Sequence, residues 1–422
     1  MWRSRWEPML PNGCAFLIGK ALRRGENSMA PIYLDYNATT PLDPAVIEAM
    51  LPYLRQHFGN PSSTHEYGRT AHDAVDKARA QVAELIGAQP DEIVFTGGGT
   101  EASNHALKGT VFAKPRDGRP WACDAHIITS AVEHPATLQT CDFLKRLGCM
   151  ITVLPVDHYG LVNPEDVRKA IDQKTVIVTI MHANNEVGTI EPIKEIAAIA
   201  HEHGALMHTD AAQSLGKIPV DVNELGVDLL SVAGHKLYAP KGVGALYIRQ
   251  GVKLEPLIHG AGHESGRRAG TENVPYIVAL GEACRIARES LPQASERLRA
   301  LRDRLWNHLQ AGLGDRIVLN GHPDQRLPNT LNVNFLNHSG ADLLDHVPLI
   351  AASTGSACHE GHVTLSPVLE AMGVSPEVGR GAVRLSVGRF TTEDEIDRAA
   401  QALIRQAQRV SVGQRLKSWL GG

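Results

Sequence analysis

Cysteine is sparse in this chain and shows no pairing pattern. Six occur in 422 residues, at positions 14, 123, 141, 149, 284 and 358, and no two stand as Cys-x-x-Cys. That spacing argues against a zinc site or a disulfide framework and suits a reducing cytoplasm. No apolar run approaches the ~18 residues of a spanning helix, so a membrane role is not expected. Neither charge sign dominates: 42 Lys+Arg stand against 46 Asp+Glu, for a net charge of -4. That balance argues against nucleic-acid or membrane-surface partners. Internal repeats and low-complexity segments are also lacking. What remains is an ordinary globular composition, 43% apolar and 21% charged, with length for two to three domains.

The first 29 residues differ from the rest. Arg3, Arg5, Lys20, Arg23 and Arg24 flank a short apolar piece, Cys14 to Gly19. The piece is short for a secretory signal and no clear cleavage site follows. The expectation is a disordered extension, with Met29 as the initiator. From Pro31 onward helices and strands alternate. Asp43 and Pro44 read as N-cap and first position of a helix running to His57. Ala71, Val75, Ala78, Val82 and Leu85 give helical spacing over Gly68 to Ile86. Strands are expected at 93–96, 127–129, 151–156, 176–181 and 205–208, and helices at 135–147 and 193–203. Such alternation predicts a mostly parallel sheet covered on both faces. From Val274 to Leu309 the rhythm becomes one long helical stretch. A smaller α+β region follows, ending in a helix from Thr392 to about Val410.

One stretch organises the chemistry. The apolar run Asp228 to Ala233 leads into Gly234-His235-Lys236, and a Gly/Pro-rich turn leads out. A lysine at such a junction is commonly a surface residue. A shielded one has a lowered pKa and can form a Schiff base with an aldehyde. Asp210 lies twenty-six residues upstream, in Leu206 to Gln213. A buried carboxylate facing a ring nitrogen and a lysine on the aldehyde carbon are the two anchors of a pyridoxal phosphate (PLP) enzyme.

Other constellations carry further chemistry. Thr96-Gly97-Gly98-Gly99-Thr100-Glu101, between a strand and a helix, is a candidate phosphate cradle. It is equally a tight turn, and it is not a P-loop, because no Gly-Lys-Ser/Thr follows. In Val132-Glu133-His134-Pro135, His134 follows a strand, where α/β sheets place ligands. It is suited to stack on a flat cofactor, to move protons, or to cap a helix. Asn184-Asn185-Glu186 brings amides abruptly after an apolar strand, as a ligand site or a turn. Cys358 sits in a small-residue, Gly-rich loop whose expected mobility suits a nucleophile that visits a substrate. His359 beside it would favour the thiolate. Cys358, His359 and His362 offer three metal ligands, but no fourth stands at short spacing, so no metal is expected. Arg384 lies in an apolar strand, as a carboxylate anchor or a structural ion pair. Gly266 to Asn273 is a polar loop, for a second anion or for solvent.

Collected, these pieces resemble the cysteine desulfurase (NifS/IscS-like) family, within aminotransferase class V of the fold-type I PLP enzymes. The matching segments also include Leu34-Asp35-Tyr36-Asn37-Ala38-Thr39-Thr40 and Phe58-Gly59-Asn60-Pro61-Ser62-Ser63, and all stand in family order from about residue 32 to 400. The resemblance implies an α/β fold of the fold-type I transferases. A large domain, 46–274, would hold a mostly parallel seven-stranded sheet between helices. A smaller α+β domain would comprise 30–45 and 275–422. It implies PLP as cofactor, with Lys236 carrying it and later moving protons. Asp210 would face the pyridine nitrogen, Gln213 the phenolic oxygen, and His134 would stack on the ring. Gly99, Thr100 and His235 would hold the phosphate, and Thr271 would reach the partner subunit's phosphate in a homodimer. Asn37, Asn185 and Arg384 would hold the substrate carboxylate. Cys358 would take sulfur from L-cysteine as a persulfide, leaving L-alanine, and pass it to a protein acceptor such as an iron–sulfur scaffold in the cytoplasm.

Three features depart from the family pattern. Ala233 stands where the family usually has a Ser or Thr phosphate donor. The segment from Gly340 to Ala351 is short, and His359 replaces the usual Thr or Ser. These resemble selenocysteine lyases, which share fold and mechanism and act on L-selenocysteine. The spacing from Cys358 to Ser366-Pro367-Val368-Leu369 keeps the desulfurase loop length. A third reading is a catalytically weak scaffold that binds sulfur acceptors. Intact Lys236, Asp210, His134 and Cys358 argue against it.

Overall fold

The computed structural model describes residues 31–113, 124–354, 358–359, 362–363 and 365–420, with 358–359, 362–363 and 410–420 described by backbone alone. The N-terminal extension lies outside the described residues. Strand β1 is Ile32–Tyr33. The larger sheet contains β2 (Ile93–Thr96), β3 (His126–Ser130), β4 (Met150–Leu154), β5 (Thr175–Thr179), β6 (Leu206–Asp210), β7 (Leu229–Ala233) and β8 (Gly244–Ile248). Its order is β2-β8-β7-β6-β5-β3-β4. Pairing is parallel from β7 through β4, and only β8 runs antiparallel to its neighbours. This is the mostly parallel sheet that the alternation predicts, with the seven strands that the family resemblance implies. The strands β2, β3, β5, β7 and β8 are buried along their whole length, as expected where helices cover both faces.

The covering helices are α1 (Pro44–Arg55), α2 (Glu66–Ile86), α3 (Gly99–Phe112), α4 (Pro135–Arg146), α5 (Ile193–Glu202) and the first half of α6 (Val274–Leu313). Asp43 caps α1 by accepting the Ala45 N–H at 3.0 Å. Helix α2 stops at Gly87, which adopts the left-handed conformation, with φ 69°. The helix and strand ends fall within a few residues of expectation, except that the last helix, expected to end near Val410, continues to Leu420. One difference bears on chemistry. The strand expected at 205–208 continues to Asp210, which places that carboxylate on the last residue of β6.

A second, smaller sheet has the order β12 (Ser353–Thr354), β15 (Ala382–Ser386), β10 (Thr330–Phe335), β9 (Ile317–Asn320), all antiparallel. Its core joins the second half of α6, from Leu298 to Leu313, to α7 (Glu393–Leu420) and to Ile32 and Leu34. Strand β1 reaches it by pairing with β11 (Ile350–Ala351), and Asp35 bridges to Ser386. The N-terminal segment is therefore laid between the two cores. The region of the expected Cys358 loop contains a two-stranded ladder, β13 (Cys358–His359) with β14 (His362–Val363).

Register decides where the site falls. Gly244 at the start of β8 lies opposite Thr96 of β2 on one side and Ala233 of β7 on the other. A Cβ at Gly244 would stand 2.4 Å from Val232 O and 2.8 Å from Gly98 Cα, so only glycine lets these strand ends approach. The Gly97-Gly98-Gly99 turn and the Gly234-His235-Lys236 turn are thereby brought side by side.

Candidate active site

The carboxyl ends of β2, β3, β5, β6 and β7 open on one cavity of about 740 Å³, the place where α/β sheets bind ligands. Ten of the sequence-predicted residues line it: Asn37, Gly99, Thr100, His134, Asn185, Asp210, Gln213, His235, Lys236 and Arg384. Thr271 is exposed and lies outside the wall formed by the described residues. The backbone of Cys358 is on β13, and its side chain lies outside what is described.

Lys236 is not on the strand but on a 3-10 turn, Gly234–Lys236, just beyond β7. Its Nζ donates to Asn37 O at 2.5 Å and Ala38 O at 2.7 Å. Both acceptors are backbone carbonyls of the N-terminal segment, and among the described residues the amine has no carboxylate in contact. Burial brings its pKa down to about 8, helped by the Arg384 charge and opposed by Asp210 and Asp35. Asp210, at the end of β6, accepts the Ala212 N–H at 2.9 Å. Burial raises its pKa, against the Ala212 hydrogen bond and the fields of His134 and Lys236. A cation placed against it would reverse that shift.

His134 is the N-cap of α4, where its Nδ1 accepts the Ala136 N–H at 3.1 Å. It both caps the helix and leaves its ring in the cavity. Burial of the site lowers its pKa. His235 contacts Thr39 Oγ1 at 3.2 Å, and burial, with Lys236 and Lys241 nearby, takes it down to about 4. Both imidazoles are therefore neutral near pH 7.

The glycine turn forms the far wall. Helix α3 begins at Gly99, and the first N–H groups of a helix have no intrahelical partner. Gly98 has φ 146°, and a Cβ there would meet nothing within 4 Å, so the turn faces open space. A Cβ at Gly99 would lie 3.0 Å from the Ala233 methyl. Ala233 is thus packed beside the cradle and contributes no donor to it. The neighbouring polar loop supports the turn. Arg268 Nε donates to Glu101 Oε1 at 2.9 Å, and Glu101 Oε2 accepts the Gly97 N–H at 2.7 Å.

Arg384 leaves β15 toward the cavity. It donates to Asn185 O at 3.0 Å, Asp35 Oδ1 at 2.8 Å and Ser353 Oγ at 3.1 Å, while its buried Nε has no partner among the described residues. Asn37 is 1% exposed, and its amide is engaged by Asn185 O, Thr330 Oγ1 and Asn329 Nδ2. It joins the N-terminal segment to both cores. Asn184, the other amide of its motif, forms the turn itself, accepting the Glu186 and Val187 N–H groups.

The residues present fit a flat, anionic aldehyde cofactor. The set comprises an amine held near neutrality, a buried carboxylate, a neutral imidazole, a glycine cradle at a helix start, and an arginine with an unspent N–H. Sequence reasoning did not single out several supporting residues. Asp35 fixes Arg384, and Glu133 accepts from Ser130 Oγ at 2.7 Å and the Met181 N–H at 2.8 Å, tying the His134 turn to the exit of β5. Lys217 lies behind Gln213. Its one signal in sequence is a lysine within the apolar stretch Ala211 to Val220.

Residues 32–399 match the aminotransferase class-V family model, and the chain belongs to that family, among its cysteine desulfurases. It is 48% identical over 376 residues to the cysteine desulfurase IscS of Dictyoglomus turgidum, covering 89% of this chain and 94% of that one. Against the cysteine desulfurase IscS of Methanosarcina thermophila the identity is also 48%, over 90% and 92% of the two chains. Among solved structures, a NifS-like protein superposes with a TM-score of 0.82 at 39% identity, covering 90% of this chain and all of the other. The protein SspA in complex with cysteine gives a TM-score of 0.75 at 37% identity, covering 86% of this chain and 100% of that one.

Proposed function

We propose that this chain is a PLP-dependent cysteine desulfurase, converting L-cysteine to L-alanine and carrying the sulfur as a persulfide on Cys358. The observation that carries the reading is the meeting, in one cavity, of the Lys236 amine with Asp210, His134, the glycine cradle and Arg384. When bound, PLP supplies an electron sink that lets the substrate Cα proton leave.

The chain's own residues do the rest. Lys236 Nζ would hold the cofactor and would take and return protons, a task suited to an amine with a pKa of about 8. Asp210 would keep the ring nitrogen protonated, and His134 would stack on the ring. Gln213 would donate to the phenolic oxygen. Gly99, Thr100 and His235 would hold the phosphate, and Thr271 would reach the phosphate of the partner subunit in a homodimer. Arg384 and Asn185 grip the substrate carboxylate, with Asn37 holding the segment in register. The Cys358 thiolate bonds to the substrate sulfur as that sulfur leaves Cβ. The electron pair of the broken C–S bond takes a proton, which completes alanine. Metal plays no part in this scheme.

The sulfur acceptor is a protein such as an iron–sulfur scaffold, or one serving tRNA or thio-cofactor synthesis. No helix among the described residues is long and apolar enough to cross a membrane. The setting proposed is the cytoplasm; a mitochondrial cysteine desulfurase of Arthroderma benhamiae is also 46% identical over 397 residues. Ala233, placed against the cradle without a hydroxyl, favours the second reading, a selenocysteine lyase.

A paired assay decides between them. Alanine is measured from L-cysteine and from L-selenocysteine, with the wild type and Cys358→Ala. Turnover of cysteine that is lost in Cys358→Ala is the expected result. Strong selenocysteine turnover beside negligible cysteine turnover would establish the lyase. Absence of alanine from either, despite bound PLP, would remove both.

A further inference from the structure

Behind the wall that carries Asp210 and Gln213, the chain turns inward and buries Lys217, which is 7% exposed. Its Nζ donates to Gln213 O at 2.9 Å and to Gln213 Oε1 at 3.0 Å. No carboxylate of the described residues is paired with it, and the charged groups that act on it are two cations, Lys236 beyond β7 and Arg384 on β15. It lines a second cavity, of about 470 Å³, on the far side of Lys236, and Lys236 alone among the described residues lines both cavities. The charged groups facing that second cavity are already engaged. Asp43 is held by Arg389 and by the start of α1, Arg285 by Glu282 and Glu289, and Arg297 by the carbonyls of Arg389 and Thr391.

A lysine in such a place needs a reason, because burying an amine is unfavourable where an apolar side chain would serve. Its hydrogen bonds supply one. The amine holds Gln213 Oε1, and Gln213 Nε2 donates to Asn37 O at 3.0 Å. Asn37 O can only accept, and it is the same carbonyl that receives Lys236 Nζ. The amide is therefore fixed from both ends, with its N–H side toward the cavity and one Nε2 hydrogen unspent among the described residues. Burial and the facing cations bring Lys217 down to about 7, so near neutrality it works chiefly as a hydrogen-bond donor.

We propose that Lys217 is a positioning residue of the active site, locking the Gln213 amide from behind so that its N–H is presented to the cofactor's phenolic oxygen. This rests on the reading of Lys236 and Gln213 given above. A donor on that oxygen stabilises its anionic form and so competes with the neighbouring proton of the lysine–cofactor linkage. Losing the donor raises the pH at which that linkage deprotonates.

The test follows the visible absorption of the PLP-loaded protein against pH, not its turnover. In Lys217→Met the midpoint of the absorption change is expected to rise by about one unit. The double variant Lys217→Met/Gln213→Leu is expected to shift no further than Gln213→Leu alone, since residues acting as one unit are not additive. An unshifted midpoint in folded Lys217→Met, or additive shifts, overturns the proposal. Should Lys217→Met fail to fold, Lys217→Ala is titrated with and without propylamine. Recovery of the wild-type midpoint by the amine supports the role, and no recovery overturns it. A wild type that takes up no PLP would instead remove the proposed function.

Discussion

Arg384 shows how one side chain serves structure and substrate together. Its fork is spread over Asn185 O, Asp35 and Ser353 Oγ, and one buried N–H is left over. An arginine already paired with a carboxylate can still receive a second anion, since its planar head offers five donors. A lysine keeps the charge and loses the fork. Arg384→Lys is therefore expected to raise KM for the amino acid about ten- to a hundredfold, the worth of one or two charge-assisted hydrogen bonds. Steady-state kinetics check this. A KM within about twofold of the wild type would leave the Asp35 ion pair as the whole role of Arg384. Asp210 and Lys236 make the complementary point. Burial moves both toward their neutral forms, the carboxyl up and the amine down.

At the scale of elements, the strip that follows Cys358 is anchored on the site itself. Ser366 Oγ donates to Glu186 Oε2 at 2.5 Å and accepts the Val368 N–H at 3.1 Å, capping the short helix Pro367–Ala371. Burial raises the Glu186 carboxyl, with Ser366 and Arg384 opposing. Ser366, three residues beyond the end of β14, is thus tied to the Asn184-Asn185-Glu186 turn. Ser366→Ala removes both bonds. It is expected to lower kcat about tenfold, equivalent to ~1.4 kcal/mol of lost positioning, with KM little changed. A fall in KM-controlled binding alone would contradict the anchor. Helix α6 joins the two bodies. Its residues through Ala287 belong to the large core, those from Leu298 to the small one, and Pro292 lies between. We propose the division 46–274 for the large domain and 30–45 with 275–422 for the small one, with the helix as a strut they share, since its first half, through Ala287, packs in the large core.

Over the whole molecule, buried titratable groups oppose one another. His208, bonded to Thr179 Oγ1 and Ser231 Oγ, is brought down to about 3 by burial, and His182 to about 4. The unfolded chain binds their protons first as pH falls through 6.5, so their contribution is lost on the acid side. Glu133 and Glu191 behave in the opposite sense. Burial raises each to about 8, and each keeps one oxygen without a partner among the described residues. Between pH 4.5 and 8 the native state binds more of their protons than the unfolded state, so they reduce stability as pH rises. Glu191→Gln keeps the acceptor for the Val162 N–H and removes the titration. It is expected to gain stability over the wild type between pH 4.5 and 8, on the order of 3 kcal/mol, with no gain at pH 4. Denaturant melts at both pH values check this. Equal differences at both would mean that Glu191 titrates normally.

The sequence by itself determined the alternation of strands and helices, the glycine turn, and the types of residue on which the chemistry rests. Those are local properties, set by periodicity, caps and turns that a few neighbouring residues decide. The tertiary structure decided what the residues do together. Strand register set the Gly97–Gly99 turn beside Lys236, through the close approach that Gly244 permits. The N-terminal segment, threaded between two cores, brought Asn37 O to Lys236 and Asp35 to Arg384. Lys217 carried little signal in sequence, because a buried amine differs from a surface one only in what surrounds it. Burial, and the pKa shifts that follow from it, depends on elements more than a hundred residues apart being packed against one another.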